Sequence, residues 1–476
     1  MPAQARSSQA IAFAVAWLAY FTALQWSVVR FRVAIVAVLT ASTMALAIWQ
    51  WRRSRVTLTP PVVGAALAGS ALATLTVPLF SYLHANGLAV ATTVLVAAPL
   101  LAAALLWSGG QRPALMAAAV AALAYAAAAA TAVVSDPAPR IDVWVTLQQA
   151  SDALARGESF YEVTWTGSPG IKDAFTYLPW TAVLLAPGRW LAGDVRWALL
   201  VWGLVAAVGV WALAHGTGAA ALVRPLSRRR GGDRGASSGG GSGASSGGGT
   251  QAVEATTVGS PHTGPGAAWR GAAVLALVFF APGTLTQVDQ AWTEPLLLAG
   301  IVWWAVLVDR GRAWWAVVPL ALACASKQHL ALLLPVLLVW RPFGARRAVA
   351  TGALTGLLIA PWFLAGPADF VHDTITLLVS FHPIRFANTL YLLALNTFGV
   401  TLPFWVTGLV VLGTLAGVVA MVRRRQPGLA ELLRWLALVL LVANLVNKQA
   451  FYNQFWLVGA IVVLSLAVQP RPLSER

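Results

Sequence analysis

Residues 135–163 read S-D-P-A-P-R-I-D-V-W-V-T-L-Q-Q-A-S-D-A-L-A-R-G-E-S-F-Y-E-V, and 175–187 read F-T-Y-L-P-W-T-A-V-L-L-A-P. The chain ahead of Asp136 contains no Asp or Glu at all. Asp136, Asp142, Asp152, Glu158, Glu162 and Asp173 then follow in one polar loop, six of the sixteen acids in the protein. Carboxylate chemistry must come from here or from the few acids further on.

Around this loop the chain is apolar. Of 476 residues, 59% are hydrophobic and only 10% charged, with a mean hydropathy of +0.73. Soluble domains carry about 25% charged residues, so the composition predicts an all-α, polytopic transmembrane bundle. Apolar runs of about twenty residues, enough to span a bilayer, recur throughout. The net charge of +16 does not point to nucleic acid, because the arginines sit in short clusters between apolar runs, the pattern of cytoplasmic loops. A single cysteine, Cys324, excludes a disulfide framework and a cysteine metal site.

The hydropathy pattern predicts spans near 9–29, 33–50, 61–83, 87–107 and 113–134, then 195–223. After them it predicts 271–286, 292–308, 313–325, 329–340, 348–365, 401–421, 433–447 and 455–468. The total is about fourteen. Tyr177–Leu191 is short, carries Pro179 and Pro187 and has Trp180 and Trp190 near its ends, so it is expected at the membrane interface. The resulting divisions are N-terminal helices (1–134), an extracytoplasmic loop with interfacial helices (135–192), a single span (193–223), a Gly/Ser-rich cytoplasmic linker (224–269) and C-terminal helices with outer loops (270–476). The linker's composition favours a solvated tether. The N-terminal run lacks a cleavage site and reads as an uncleaved first span.

Arg52, Arg53, Arg55 and Arg112, and later Arg310, Arg312, Arg341, Arg346, Arg347 and Arg423–Arg425, mark inner loops. The 28 residues between Arg312 and Arg341 require two short helices turning at Ser326-Lys327-Gln328-His329. On this topology Asp289, Glu294, Lys327, His329, His382 and Arg385 join the acidic loop on the outer face. All three lysines, Lys172, Lys327 and Lys448, also fall there, and a compact ammonium is not equivalent to a guanidinium fork. Chance retention of three lysines is the competing reading.

Polar groups at membrane depth are costly unless paired or wetted, so their gathering on one face predicts a water-accessible cavity. Such a site suits a lipid-tailed substrate with a phosphate head. Asp142 is the candidate base. It opens a stripe of Val143, Leu147, Ala150 and Leu154 at helical spacing, which Gly157 should end, with the stripe on the membrane surface. A carboxylate at a helix N-terminus is favoured by the helix dipole, so a purely structural cap is an equal reading of the same residue. Asp152 reads as solvated, Glu158 and Glu162 as loop residues, and Asp136 as a second candidate base.

An Asp directly after a span, an amphipathic helix with L-x-x-G-x-x-x-Y, then F-x-Y-x-P and a second Pro together resemble the GT-C polytopic glycosyltransferases. The pattern is most similar to glycosyltransferase family 87, the polyprenyl-phosphate-mannose-dependent mannosyltransferases. Here it is carried by Asp142, Leu154, Gly157, Tyr161, Phe175, Tyr177, Pro179 and Pro187. Leu178-Pro179 stands where the common pattern has two adjacent prolines. S-K-Q-H-L-A-L-L-L-P at 326–335 resembles the short-helix pair that carries a basic residue in such enzymes. The motif region covers about fifty residues; the rest matches in hydropathy only.

The resemblance implies a polyprenyl-phosphate sugar donor, a glycolipid or glycan acceptor, inversion at the anomeric carbon and a plasma-membrane location with an extracytoplasmic site. Asp142 would be the catalytic base. Lys327 or Arg385 would hold phosphate, His329 or His382 would assist, and Tyr177 and Glu294 would line the substrate site. No cofactor is expected. The outer loops contain no D-x-D, and His84, His329, His372 and His382 lack metal-ligand spacing, so metal independence is expected. A lipid or sugar transporter is the competing reading, which predicts paired halves and broken helices at the midplane; a non-catalytic envelope scaffold is a third.

Overall fold

The computed structural model describes residues 3–54, 56–216 and 265–469. Among these residues the protein is helical throughout, with no strand. The first half comprises α1 (Ala3–Ser27), α2 (Val33–Arg52), α3 (Pro60–Thr76), α4 (Ala85–Ser108), α5 (Gln111–Ser135), α6 (Asp142–Arg156), α7 (Trp180–Ala192) and α8 (Arg196–His215). The second half begins with α9 (Pro265–Phe279), α10 (Thr286–Asp289), α11 (Glu294–Asp309) and α12 (Val317–Cys324). A 3-10 segment (Gln328–Leu333) leads into α13 (Leu334–Val339) and α14 (Gly344–Ala365). Then come α15 (Pro367–Val371), α16 (Leu377–Ser380), α17 (Leu390–Phe398), α18 (Phe404–Arg425), α19 (Leu429–Val446) and α20 (Tyr452–Leu464).

Eight of these helices are long and apolar enough to cross a membrane, and four more apolar helices are shorter. The expected spans 313–325 and 329–340 prove to be short: α12 has eight residues, about 12 Å of rise against a hydrocarbon core of about 30 Å. The predicted turn at 326–329 does fall between them. Span 195–223 is seen as α8, which ends at His215; its remainder, and all but the last few residues of the Gly/Ser-rich segment, lie outside the described residues. Helix α9 begins at Pro265 rather than after 270 and ends at Phe279, because a broken stretch through Pro282 and Gly283 (φ +82°) interrupts the expected 271–286 run.

Alanine sets how closely the helices approach. Ala114, Ala117, Ala121, Ala124 and Ala128 of α5 are all buried and follow a helical repeat, leaving space for neighbouring backbones in the manner of small-residue membrane interfaces. Gly203 of α8 serves the same purpose for one large side chain, since a methyl group there would strike the Tyr125 ring.

Cross-links sort the loops into two ends. At one end the Gln50 amide donates to Glu431 O (2.8 Å), Trp269 Nε1 to Leu106 O (3.0 Å), Trp340 Nε1 to Pro427 O (2.8 Å) and Gln469 to Ala214 O (2.8 Å). That end carries the arginine clusters. At the other, Asn388 donates to Arg30 O (2.6 Å) and accepts from Arg32 N–H (2.9 Å), and Thr181 Oγ1 donates to Ser326 O (2.6 Å). This acidic end gathers Asp136 through Asp194, Asp289, Glu294 and Asp373, together with all three lysines.

Helix α7 stays at the acidic end. Trp180 N–H at its start donates to Ala325 O (3.2 Å), while Gln148 of α6 holds Gly193 O and Val195 N just past its finish. The apolar stripe of α6 is corrected in one respect: it faces protein, not lipid. Leu147 and Ala150 are fully buried with Phe160, Trp165, Phe175 and Leu185. Asp152 is likewise not merely solvated, because Arg189 of α7 grips it with two hydrogen bonds of 2.8 and 2.9 Å.

Candidate functional site

Helix α6 starts at Asp142 and stops at Gly157 (φ +70°). Asp142 is its first residue, after Ile141 at the cap position. Its Oδ1 accepts the Val143 N–H at 2.8 Å, satisfying one of the donors a helix start leaves free. The carboxylate is half-buried. The 164–174 loop folds over it: Gln149 clamps Thr166 through two hydrogen bonds, and Trp165 Nε1 donates to Ala174 O (2.8 Å). This brings Gly170 so close that a Cβ there would lie 2.5 Å from Asp142 Oδ2. Glycine is required at 170 for that approach.

Beyond the loop, 174–181 is pinned from both sides. Phe175 N–H donates to Asp373 Oδ2 (2.7 Å), whose other oxygen meets His372 Nδ1 at 3.0 Å. Burial raises the Asp373 carboxyl despite these partners. Tyr161 Oη donates to Tyr177 O (2.9 Å), and Gln328 Nε2 donates to Thr176 O (2.9 Å) and Thr374 O (3.2 Å). The result sets the Tyr177 ring against the 326–329 turn.

At that turn lies the buried charge cluster. Lys327 Nζ donates to Glu294 Oε1 at 2.5 Å and to Thr293 Oγ1 at 3.3 Å, and the Asn453 amide donates to the same Glu294 oxygen at 2.9 Å. Three separate elements therefore converge: the start of α11, the turn after α12 and the start of α20. The ammonium stands 5.5 Å from the Tyr177 ring centroid, in cation–π range. Burial, then Glu294, then Asp142 push the Tyr177 phenol well above its ordinary range. Tyr177 is thus within electrostatic reach of Asp142 as well as of the Glu294–Lys327 pair.

A second acid layer adjoins the first. Asp289 is fully buried, with Oδ2 accepting from Gln290 Nε2 at 3.0 Å and Oδ1 unpartnered. Burial pushes its carboxyl up to about 6, opposed by Gln290, Ser81, Arg196 and the Tyr82 backbone. The Tyr82 phenol is raised by its own burial and then by Asp289, with smaller contributions from Asp142 and Asp136, while Arg140 lowers it. The Asp142 charge therefore acts on the tyrosine beside each layer. Nearby, Arg196 is locked structurally, to Asp194 Oδ2 at 2.7 Å and to Asp136 O at 2.5 Å.

Of the residues singled out from sequence, the structure joins Glu294 to Lys327 and sets Tyr177 beside the ammonium, with Asp142 reaching Tyr177 through its charge. His329 follows on the same turn, half-buried, and feels the Lys327 charge. His382 and Arg385 are exposed on the 381–389 loop; His382 stacks on Phe381 at 4.3 Å, and Arg385 offers its carbonyl to Asn396. Among the described residues, neither hydrogen-bonds to the Lys327 cluster. The three lysines also separate. Lys448 ties Val379 O (2.6 Å) and Phe381 O (2.5 Å), Lys172 is exposed, and Lys327 is the buried one. Asn453, Tyr82 and Gly170 gave no signal in the sequence, because each acts through a neighbour more than a hundred residues away or across a loop. Among the described residues no group of three or more His, Cys, Asp and Glu is disposed to hold a metal.

No protein-family model, no curated protein and no solved structure matches this chain.

Proposed function

We propose that this chain is a membrane glycosyltransferase that moves a sugar, mannose by the resemblance noted above, from a polyprenyl-phosphate donor to a hydroxyl of a cell-envelope glycolipid or polysaccharide. One observation carries the reading: Tyr177 has the Lys327 ammonium at 5.5 Å and lies within electrostatic reach of both Glu294 and Asp142. A base and a cation thereby act on one aromatic side chain, the pairing that transfer from a phosphorylated sugar requires. The arginine end fits the cytoplasmic side, which assigns the acidic end to the extracytoplasmic face. With the loops alternating between ends, this reading keeps the expected count of about fourteen passes, eight of them helices long enough to cross alone. The short α12 and α13 then recess Lys327 below the surface.

In this reading Asp142 takes the proton from the acceptor hydroxyl as its oxygen bonds to the anomeric carbon. The bond from that carbon to the phosphate oxygen breaks, and polyprenyl phosphate departs with the electron pair. General-base assistance contributes typically 10²–10⁴-fold. An ammonium has three N–H donors; Glu294 and Thr293 accept two, and the third is the one a departing phosphate would take, an electrostatic contribution. His329, next to Lys327, is the secondary candidate for phosphate contact, with His382 and Arg385 on a separate loop.

The test is incubation of membranes bearing the protein with radiolabelled polyprenyl-phosphate mannose. Label appearing in a new glycolipid with the wild type, and not with D142N, is the expected result. Accumulation of label inside vesicles without covalent transfer would replace this reading with transport.

A further inference from the structure

The arginine end contains a feature that the proposed reaction does not use. Helix α19 packs against both α2 and α18, while α2 and α18 have little or no contact with each other. The ends of α2 and α18 meet through side chains, Arg425 over Trp51, while Gln50 of α2 donates to Glu431 O at the start of α19. Arg52 and Arg53 extend from α2, and Arg423, Arg424 and Arg425 from α18. Both helices finish in left-handed residues, Arg53 (φ 50°) and Gln426 (φ 44°), which turn the chain back sharply and keep these side chains at the helix ends. Helix C-termini favour cations, which stabilises arginine there but gives it no carboxylate partner. Among the described residues none of the five forms an ion pair, and Glu431 is the one acid on these three helices.

Tryptophan shares the site. The Arg425 guanidinium lies 5.6 Å from the Trp51 ring centroid, joining α18 to α2, and Arg434 lies 4.5 Å over Trp49 while donating to Gln50 Oε1 at 2.9 Å. Trp51 is 69% exposed, which suits the headgroup level of a bilayer. Arg425 Nη1 is buried there with no hydrogen-bond partner. Inward of the arginines, Ile48 and Met44 of α2, four and eight residues before Arg52, are exposed and apolar, while Leu412 and Leu409 of α18 are exposed about 16–21 Å further in on the Arg423 face. The order from the end inward is thus unpaired guanidinium, amphipathic indole, bare aliphatic surface. That is the order of an anionic phospholipid from headgroup to chain.

We infer that the seam between α2 and α18, at its arginine end, is a binding site for an anionic phospholipid. The phosphate is held by Arg52 and Arg425 with Arg423 and Arg424 nearby, Trp51 lies at the glycerol level, and the acyl chain runs along Ile48 and Met44 on the outward face of α2. The site is independent of the catalytic reading and lies at the opposite end of the bundle.

The test uses the full chain in phosphatidylcholine nanodiscs with and without phosphatidylglycerol, scored by lipid retained in native mass spectrometry and by thermal unfolding. Wild type is expected to retain phosphatidylglycerol preferentially and to unfold at higher temperature with it. Each arginine near an anionic surface contributes enough to change apparent affinity about fivefold, so R52Q/R425Q should lose about twenty-five-fold, while R112Q, an arginine on α5 at the same end, should behave as wild type. If the double variant gives no folded protein by circular dichroism, R52Q carries the test, since Arg52 is exposed and forms no ion pair among the described residues. The inference is overturned if R112Q loses as much as R52Q, if wild type shows no preference, or if inorganic phosphate alone reproduces the stabilisation, which would make the seam a simple anion site.

Discussion

Lys327 Nζ and Glu294 Oε1 are 2.5 Å apart, and the two side chains are nearly or wholly excluded from solvent. Two charges removed from water cost several kcal/mol each, recovered only through their mutual geometry and further hydrogen bonds. Thr293 and Asn453 supply those bonds. Removing one partner leaves an uncompensated charge, so K327A or E294A should each destabilise by about 3–5 kcal/mol. The double variant K327M/E294L should recover much of that stability and still lack activity. Thermal unfolding in detergent, read beside transfer activity, separates the two effects.

Among the described residues Asp142 makes one hydrogen bond, a local one in which it accepts the Val143 N–H. D142N retains an acceptor oxygen for it and should fold with wild-type stability. Its transfer rate should drop by about 10²–10⁴-fold, the usual contribution of a general base. Retention of full turnover in a folded D142N would remove Asp142 from the mechanism.

Gly170 gives a subtler test of the same group. G170A places a methyl group 2.5 Å from the Asp142 carboxylate oxygen, so either the side chain or the loop must move. Misplacing a reacting group by about 1 Å can cost about 10²-fold. The expected phenotype is a reduced turnover number with near-normal expression; unchanged kinetics would show that the loop does not position Asp142.

Asp289 predicts a pH dependence. Its carboxyl is raised to about 6 in the folded protein from an ordinary 3.8, so folding favours the protonated form. Its stabilising contribution is complete below about pH 4, declines as pH rises and is lost once pH passes about 6. Relative to D289N, the wild type should therefore lose stability between pH 4 and 6, by up to about 3 kcal/mol, and the difference should be constant above that. Unfolding midpoints of the two proteins measured across this range decide it.

The Asp152–Arg189 pair is about one-third exposed on each side. Exposed pairs contribute roughly 0–1 kcal/mol, so D152N should shift the unfolding midpoint slightly and leave transfer unchanged. A large loss of activity would mean that the docking of α7 on α6 controls the site.

Much of this was legible in the sequence. The apolar runs gave an all-helical chain, the 3.6-residue spacing and Gly157 gave α6 within its ends, and the crowding between Arg312 and Arg341 gave the turn at Lys327. Periodicity could not say what the α6 stripe faces, because lipid and protein interior are equally apolar to such a pattern. For the same reason hydropathy did not foretell which of the about fourteen apolar runs would form the eight helices long enough to cross alone and which would be shorter. Asp152 looked solvated because its partner, Arg189, lies on another helix. His382 and Arg385 matched the site in chemistry and loop assignment, yet they lie outside the hydrogen-bonded cluster around Lys327.

What the sequence determined by itself is local: where apolar length makes a helix, where Gly or Pro interrupts one, and at which loops charge gathers. These depend on a residue and its near neighbours. Only the tertiary structure decided that Glu294, Lys327 and Asn453 share one buried cluster and that Gly170 shelters Asp142. Such contacts link segments up to 159 residues apart, and they arise from helix packing that buries apolar surface, which chain-local spacing does not encode.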